Sequence, residues 1–162
     1  MSNDGSLTAI DYPQPFDAIT VELCKSARRY VAILSPALDH AAFDNPELVS
    51  ALSELARESR QTEVRILIAD SRPLVTRGHR LMHLARRIPT AVRLRKLPEH
   101  PQWKGETLVI RDRDALLHKP ADQGERAFYH PEDRARAEQA LELFDELWRY
   151  SEEDPDLRTL TV

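Results

Sequence analysis

A single cysteine, Cys24, stands in 162 residues, so the chain has no internal disulfide and no multi-cysteine zinc site. Such cysteine usage suits a reducing compartment, and a cytoplasmic location is expected. Glycine is also scarce: four residues, with neither a GxGxxG turn nor a phosphate loop among them. No cofactor is therefore expected. The longest unbroken apolar run, Tyr30–Leu34, falls far short of the roughly 20 residues a membrane helix needs. The opening Met1–Gly5 has no basic residue and no apolar run behind it, so no signal peptide is expected. What is present is ordinary globular material. Hydrophobic residues make 41% and charged residues 31%, which excludes a disordered chain. At this length one domain is expected, burying about 68–70% of the surface its unfolded chain exposes.

Periodicity orders the elements. Residues 1–13 read as a flexible polar tail, closed by Pro13 and Pro15. Phe16, Ile19, Leu23 and Ala27 recur at helical spacing, and Tyr30–Leu34 follows as a strand. Asn45-Pro46 is an N-cap with proline at the first helical position, ahead of the stripe Leu48, Leu52 and Leu55. Val64–Ala69 is a second continuous apolar strand, as expected of one covered on both faces. Ser71 caps a third helix, running to Ile88, with Gly78 weakening its middle. Val92–Leu97, Thr107–Ile110, Ala115–Leu117 and Ala127–Tyr129 read as further strands, the middle two joined in a hairpin. Pro131 opens the last helix, which carries Ala137, Leu141, Phe144, Leu147 and Trp148 at the 3.6 period. Strands separated by helices imply right-handed crossovers. The reading is one three-layer α/β domain over residues 14–153, with a mixed, mostly parallel sheet, helices on both faces and a C-terminal tail over 154–162.

Three stretches carry a resemblance. Val64–Asp70, a helix, then Val92–Arg95 form one; Thr107-Leu108-Val109-Ile110-Arg111-Asp112 is a strand closed by aspartate; Phe144-Asp145-Glu146-Leu147-Trp148 ends the last helix. Together they resemble a phospholipase-D-like domain. That family's chemistry uses His-x-Lys-x-x-x-x-Asp: a nucleophilic imidazole beside a lysine that stabilises the phosphorus oxyanions. Placing the aspartate on Asp112 puts Gly105 where the histidine belongs and Thr107 where the lysine belongs. The six histidines are followed two residues later by Ala42, Leu81, Ala85, Gln102, Pro120 and Glu132, none of them lysine. The resemblance thus implies a domain without the family's hydrolysis. Since active relatives with one motif per chain pair two copies to build a site, it also implies a homodimer.

Other chemistry is weak by comparison. His79 and His83 lie four apart on a helix, but Arg80 stands where a metalloprotease needs glutamate, and no acid occurs from residue 71 to 98. A polar helix face is the expectation, and no metal. Cys24 lies beside an apolar stripe and reads as a buried, inert thiol. Ser35-Pro36 lacks the Gly-x-Ser-x-Gly elbow and reads as a loop.

Charge is unevenly spread, although the net is only −4. From Ser71 to Pro98 there are eight cations, Arg72, Arg77, Arg80, Arg86, Arg87, Arg93, Arg95 and Lys96, and no anion. From Asp122 to Asp156 there are twelve acids and four arginines. Arginine forks bind phosphate, so Arg72, Arg77, Arg80, Arg93 and Arg95 are candidate anion ligands. The competing expectation is that this stretch pairs with the acidic terminal helix, within the chain or across a dimer. It contains no aromatic residue on which bases could stack.

Three functions follow as expectations. The first is a catalytically silent phospholipase-D-like module that binds another protein or its own copy. The second is a nucleic-acid or phosphoanion binder using residues 72–96. The third is a divergent phosphodiester hydrolase with a site rebuilt around His100, His118, Lys119 and Asp112.

Overall fold

The computed structural model describes residues 7–121 and 124–158. One seven-stranded sheet runs through it in the order β1-β7-β6-β5-β2-β3-β4. The strands are β1 (Thr8–Asp11), β2 (Tyr30–Ser35), β3 (Glu63–Ile68), β4 (Val92–Lys96), β5 (Thr107–Arg111), β6 (Ala115–Lys119) and β7 (Arg126–His130). The helices are α1 (Phe16–Lys25), α2 (His40–Phe43), α3 (Pro46–Glu58), α4 (Arg72–Arg77), α5 (Arg80–Arg87), α6 (Arg134–Arg149) and α7 (Pro155–Arg158).

The period-two alternation of the strands divides the core in two. Val31, Ile33, Val64, Ile66, Ile68 and Val109 point to the face covered by α1, α3 and α5. Ala32, Leu34, Leu67, Leu108 and Ile110 point to the other, covered by Phe144, Leu147 and Trp148 of α6. Three layers result, and β2 and β3 are parallel and interior, as expected, but the centre of the sheet is β5, and β3 lies next to the β4 edge because the later antiparallel strands all add on the β5 side. The parallel share is smaller than the sequence reading implies. Parallel pairing is confined to β2-β3 and β3-β4; every other pair is antiparallel. The reason lies in the connections: only those carrying a helix force a parallel return, and the chain from β4 onward turns by loops.

Four boundaries move. Thr8–Asp11 is not tail but an edge strand in register with Arg126–Tyr129, because Tyr12 N–H donates to the Glu125 carbonyl at 2.7 Å and continues the ladder. The third helix breaks in two at Gly78, whose φ of +76° no helix contains. The last helix begins at Arg134, not Pro131, because Asp133 is the residue whose carboxylate accepts the Arg136 N–H, at 3.1 Å. The expected C-terminal tail also folds over residues 154–158; its last four residues, like residues 1–6 of the expected N-terminal tail, lie outside the described ones. Glu152 pairs with Lys96 on the free edge of β4, and α7 then buries Leu157 in the core of the opposite face, at 2% exposure. Residues 150–158 thus cross the β4 edge from one face of the sheet to the other. Asn45 caps α3 as read, accepting from Glu47 and Leu48 N–H.

Candidate functional site

The sequence reading groups Gly105, Thr107 and Asp112; β5 separates them. Asp112 lies past the far end of the strand, with a left-handed φ of +51°. Its carboxylate accepts from the backbone N–H groups of Arg28, Arg29 and Tyr30 at 3.2, 2.9 and 3.0 Å. It stitches the α1–β2 junction to the end of β5.

Gly105 and Thr107 lie at the other end, by the carboxyl end of β2, where open α/β sheets place their sites. A cleft of about 470 Å³ opens there, lined among others by Tyr12, Asp39, His40, Arg77, Thr107 and Lys119. Thr107 is the register partner of Lys119 on β6, so both side chains share one face of the sheet. The Lys119 ammonium sits 5.1 Å from the centre of the Tyr12 ring. Tyr12 in turn donates its hydroxyl to Asp39 Oδ2 at 3.2 Å. Burial, then the Asp39 carboxylate, pushes the phenol well above its ordinary value, so it stays protonated and a donor. Arg77 is exposed and, like Lys119, has no ion pair among the described residues. His40 Nε2 donates to the Gly78 carbonyl at 2.8 Å. Its ring lies 4.8 Å from that of His79.

His79 is not on a polar face. It is 2% exposed and caps α5, its Nδ1 accepting the Leu81 N–H at 3.1 Å while Nε2 donates to the Leu38 carbonyl at 3.0 Å. Both nitrogens are spent inside the protein. Burial pushes the imidazole down to about 4, so the Asp44 carboxylate 4.0 Å away faces a neutral ring. His83 is exposed. Cys24 is 2% exposed, and burial pushes its thiol up to about 12.

The candidate arginines do not converge. Arg72 grips Asp70 with two bonds of 2.9 Å, which holds that carboxyl at about 2. Arg80 pairs with Asp44 at 3.4 Å. Arg77 alone of the five reaches the cleft. Arg93 and Arg95 lie on the α6 side of β4, in register with Arg65 and Leu67. Arg95 donates to the Ser151 carbonyl at 2.8 Å and lies over the Trp148 ring, as Arg65 does from the adjacent β3, at 5.2 and 5.0 Å. Arg86 donates to the carbonyls of Leu157 and Asp156. The basic stretch therefore meets the C-terminal segment through backbone carbonyls and an indole ring. Within one chain and among the described residues, Arg72, Arg77, Arg80, Arg93 and Arg95 make no ion pair with a carboxylate of α6, two of whose acids are held by nearer arginines: Glu138 by Arg113 and Arg134, Glu146 by Arg149.

The residues of the third reading are also dispersed. His118 pairs with Leu108 and so lies on the α6 face, opposite Lys119; burial lowers its imidazole. His100 packs edge-on against Tyr150, 4.9 Å away. Only Lys119 lies in the cleft. Tyr12, Asp39 and His40 are the cleft residues that the sequence reading passes over, and the short helix α2 that carries His40 has no period to announce it.

The fold has solved counterparts. NucT from Helicobacter pylori superposes with a TM-score of 0.67 at 12% identity, over 92% of this chain and 99% of that one. Nuc from Salmonella typhimurium, a phospholipase D family member, gives 0.61 at 15% identity, over 92% and 97%. The archaeal chromatin protein TrmBL2, described with a novel mode of DNA binding, gives 0.65 at 14% identity over 91% of this chain. The chain spans about half of TrmBL2, 54% of its length. The fold is phospholipase-D-like. No curated protein matches the sequence. Residues 12–160 match the model of a domain of unknown function (DUF7931), and the chain belongs to that family.

Proposed function

We propose that the chain is a non-catalytic binding module that holds a phosphate-bearing ligand in the cleft between β2, β5 and β6. The observation that carries this is the pair of cations Lys119 and Arg77, which line one cleft and have no ion pair among the described residues. Lys119 enters from β6 directly opposite Thr107, the position where the resemblance expects a lysine. A guanidinium fork and an ammonium together suit a phosphate. A nucleophile is another matter. Gly105 offers no side chain, and His40, the one histidine lining the cleft, commits Nε2 to the Gly78 carbonyl. The cradle holds a phosphodiester and leaves it intact. Fold relatives that include nucleases and a DNA-binding chromatin protein support a phosphate-containing ligand class.

The test has two arms. Fluorescence anisotropy with labelled single- and double-stranded oligonucleotides at low salt, and displacement by pyrophosphate, reads the ligand. Binding is expected to vanish in Arg77→Glu/Lys119→Glu; pyrophosphate binding seen directly by titration calorimetry, with no oligonucleotide affinity, points to a small phosphate ligand. Absence of both overturns the cradle. Bis-p-nitrophenyl phosphate is expected to be inert. Turnover that disappears in His40→Ala or His118→Ala overturns the silent reading and favours a rebuilt hydrolase.

A further inference from the structure

We infer that the free edge of β4 is a docking slot for an extended acidic peptide of another protein, which adds to the sheet as a short strand. Leu97 N–H donates to Ile68, and the Ala91 carbonyl accepts from Val64, so odd-numbered residues of β4 bond inward to β3. By alternation Val92, Leu94 and Lys96 turn their backbone groups outward. Lys96 is already closed, exchanging both bonds with Glu152 at 2.9 Å, and Val92 N–H is closed on the Ile88 carbonyl at 3.0 Å. Between them the Val92 carbonyl and both backbone groups of Leu94 have no partner among the described residues. The chain that starts an antiparallel bridge at Glu152 leaves it again to form α7, and no other described residue pairs with the slot it vacates.

That slot is a notch of about 610 Å³ lined by Val92, Leu94 and the four arginines Arg86, Arg93, Arg95 and Arg158, with Glu153 its one acid. Glu153 is already paired with Arg158. Among the described residues Arg93, which is exposed, has no ion pair, and the buried Nε of Arg95 has no acceptor. Arg93 and Arg95 share one face of the strand, so an added strand meets them with every second side chain. Carboxylates at alternate positions complete both the ladder and the charge. A second copy fits poorly, because pairing two β4 edges brings Arg93 and Arg95 of one against those of the other. Nucleic acid has no use for an unpaired strand edge.

The probe is a fluorescein-labelled peptide alternating glutamate with valine, with a lysine-valine peptide as control, read by anisotropy on the full chain. The glutamate peptide is expected to bind and the lysine peptide not. Arg93→Glu, an exposed change, is expected to weaken binding by about tenfold or more. Hydrogen exchange is expected to show the Leu94 amide protected by the peptide. Leu94→Pro, which removes that N–H from the ladder edge together with a buried side chain, gives a second check where its melt shows it folded. Arg77→Glu/Lys119→Glu is expected to leave peptide binding unchanged, so failure here and failure of the phosphate cradle are separable. Binding that ignores Arg93→Glu, protection elsewhere than Leu94, equal affinity for the two peptides, or no binding overturns the inference. So does a dimer in sedimentation that Arg93→Glu strengthens, which would assign the edge to a second copy.

Discussion

Thr107 and Lys119 stand directly opposite one another in the β5–β6 ladder, on the face of the sheet that opens into the cleft. A cation is thus delivered from a neighbouring strand to a position where β5 itself provides only a hydroxyl. The same end of β5 carries Gly105, whose φ of +96° L side chains rarely adopt. Gly105→Ala is therefore expected to cost about 1–3 kcal/mol by backbone strain alone. The added Cβ itself meets only Ala121, at 3.4 Å. Urea melts of the two proteins measure it, and an unchanged midpoint would show that this turn relaxes freely. A histidine placed at this position meets the same strain.

Trp148→Ala is expected to be severely destabilising, by about 3–5 kcal/mol. The indole is 7% exposed, stacks on Phe144 and carries the guanidinium planes of Arg65 and Arg95 on its ring. A thermal melt that does not move would detach α6 from the core.

Leu157→Ala is expected to cost about 2–5 kcal/mol. The residue is 2% exposed and belongs to the core on the α5 side of the sheet. If the loss stays within 0.5 kcal/mol, residues 150–158 are not anchored as described.

Acid is expected to weaken the fold through His79. Its imidazole, pushed down by burial, titrates at about 4 against 6.5 in the unfolded chain. Between those values the unfolded state binds a proton that the folded state refuses, so this contribution is whole above pH 6.5 and lost as pH falls toward 4. The window is worth about 3 kcal/mol. Denaturant melts at stepped pH, with the His79 ring followed by NMR, read both slope and assignment. A ring that titrates normally in the folded protein contradicts the buried, neutral cap.

Much of this architecture is legible in local pattern. Continuous apolar runs mark β2 and β3, Asn45-Pro46 marks the start of α3, and the 3.6 period marks α6. Each signal lies within a few residues of what it specifies. The remainder depends on distant partners. Thr8–Asp11 has no period to declare a strand and becomes one only by meeting β7. Leu157 is one apolar residue in an acidic stretch until the chain rounds β4. Gly105 and Thr107, which the sequence singles out, line the cleft, but Lys119's place there is a matter of strand register. His79 misleads because its spacing to His83 suggests a shared polar helix face, whereas it stands just before α5 as a buried cap.

The central place of β5 bears on how the chain is made. Until Arg111 has emerged from the ribosome, β2 has a partner on one side only, β3, and its other edge runs unpaired along Val31–Leu34. An uncovered apolar strand edge invites pairing with other chains. Synthesis of the first hundred or so residues therefore yields a half-built sheet, exposed where it will later be best protected, and aggregation or chaperone capture of truncated chains should cease once β5 is complete.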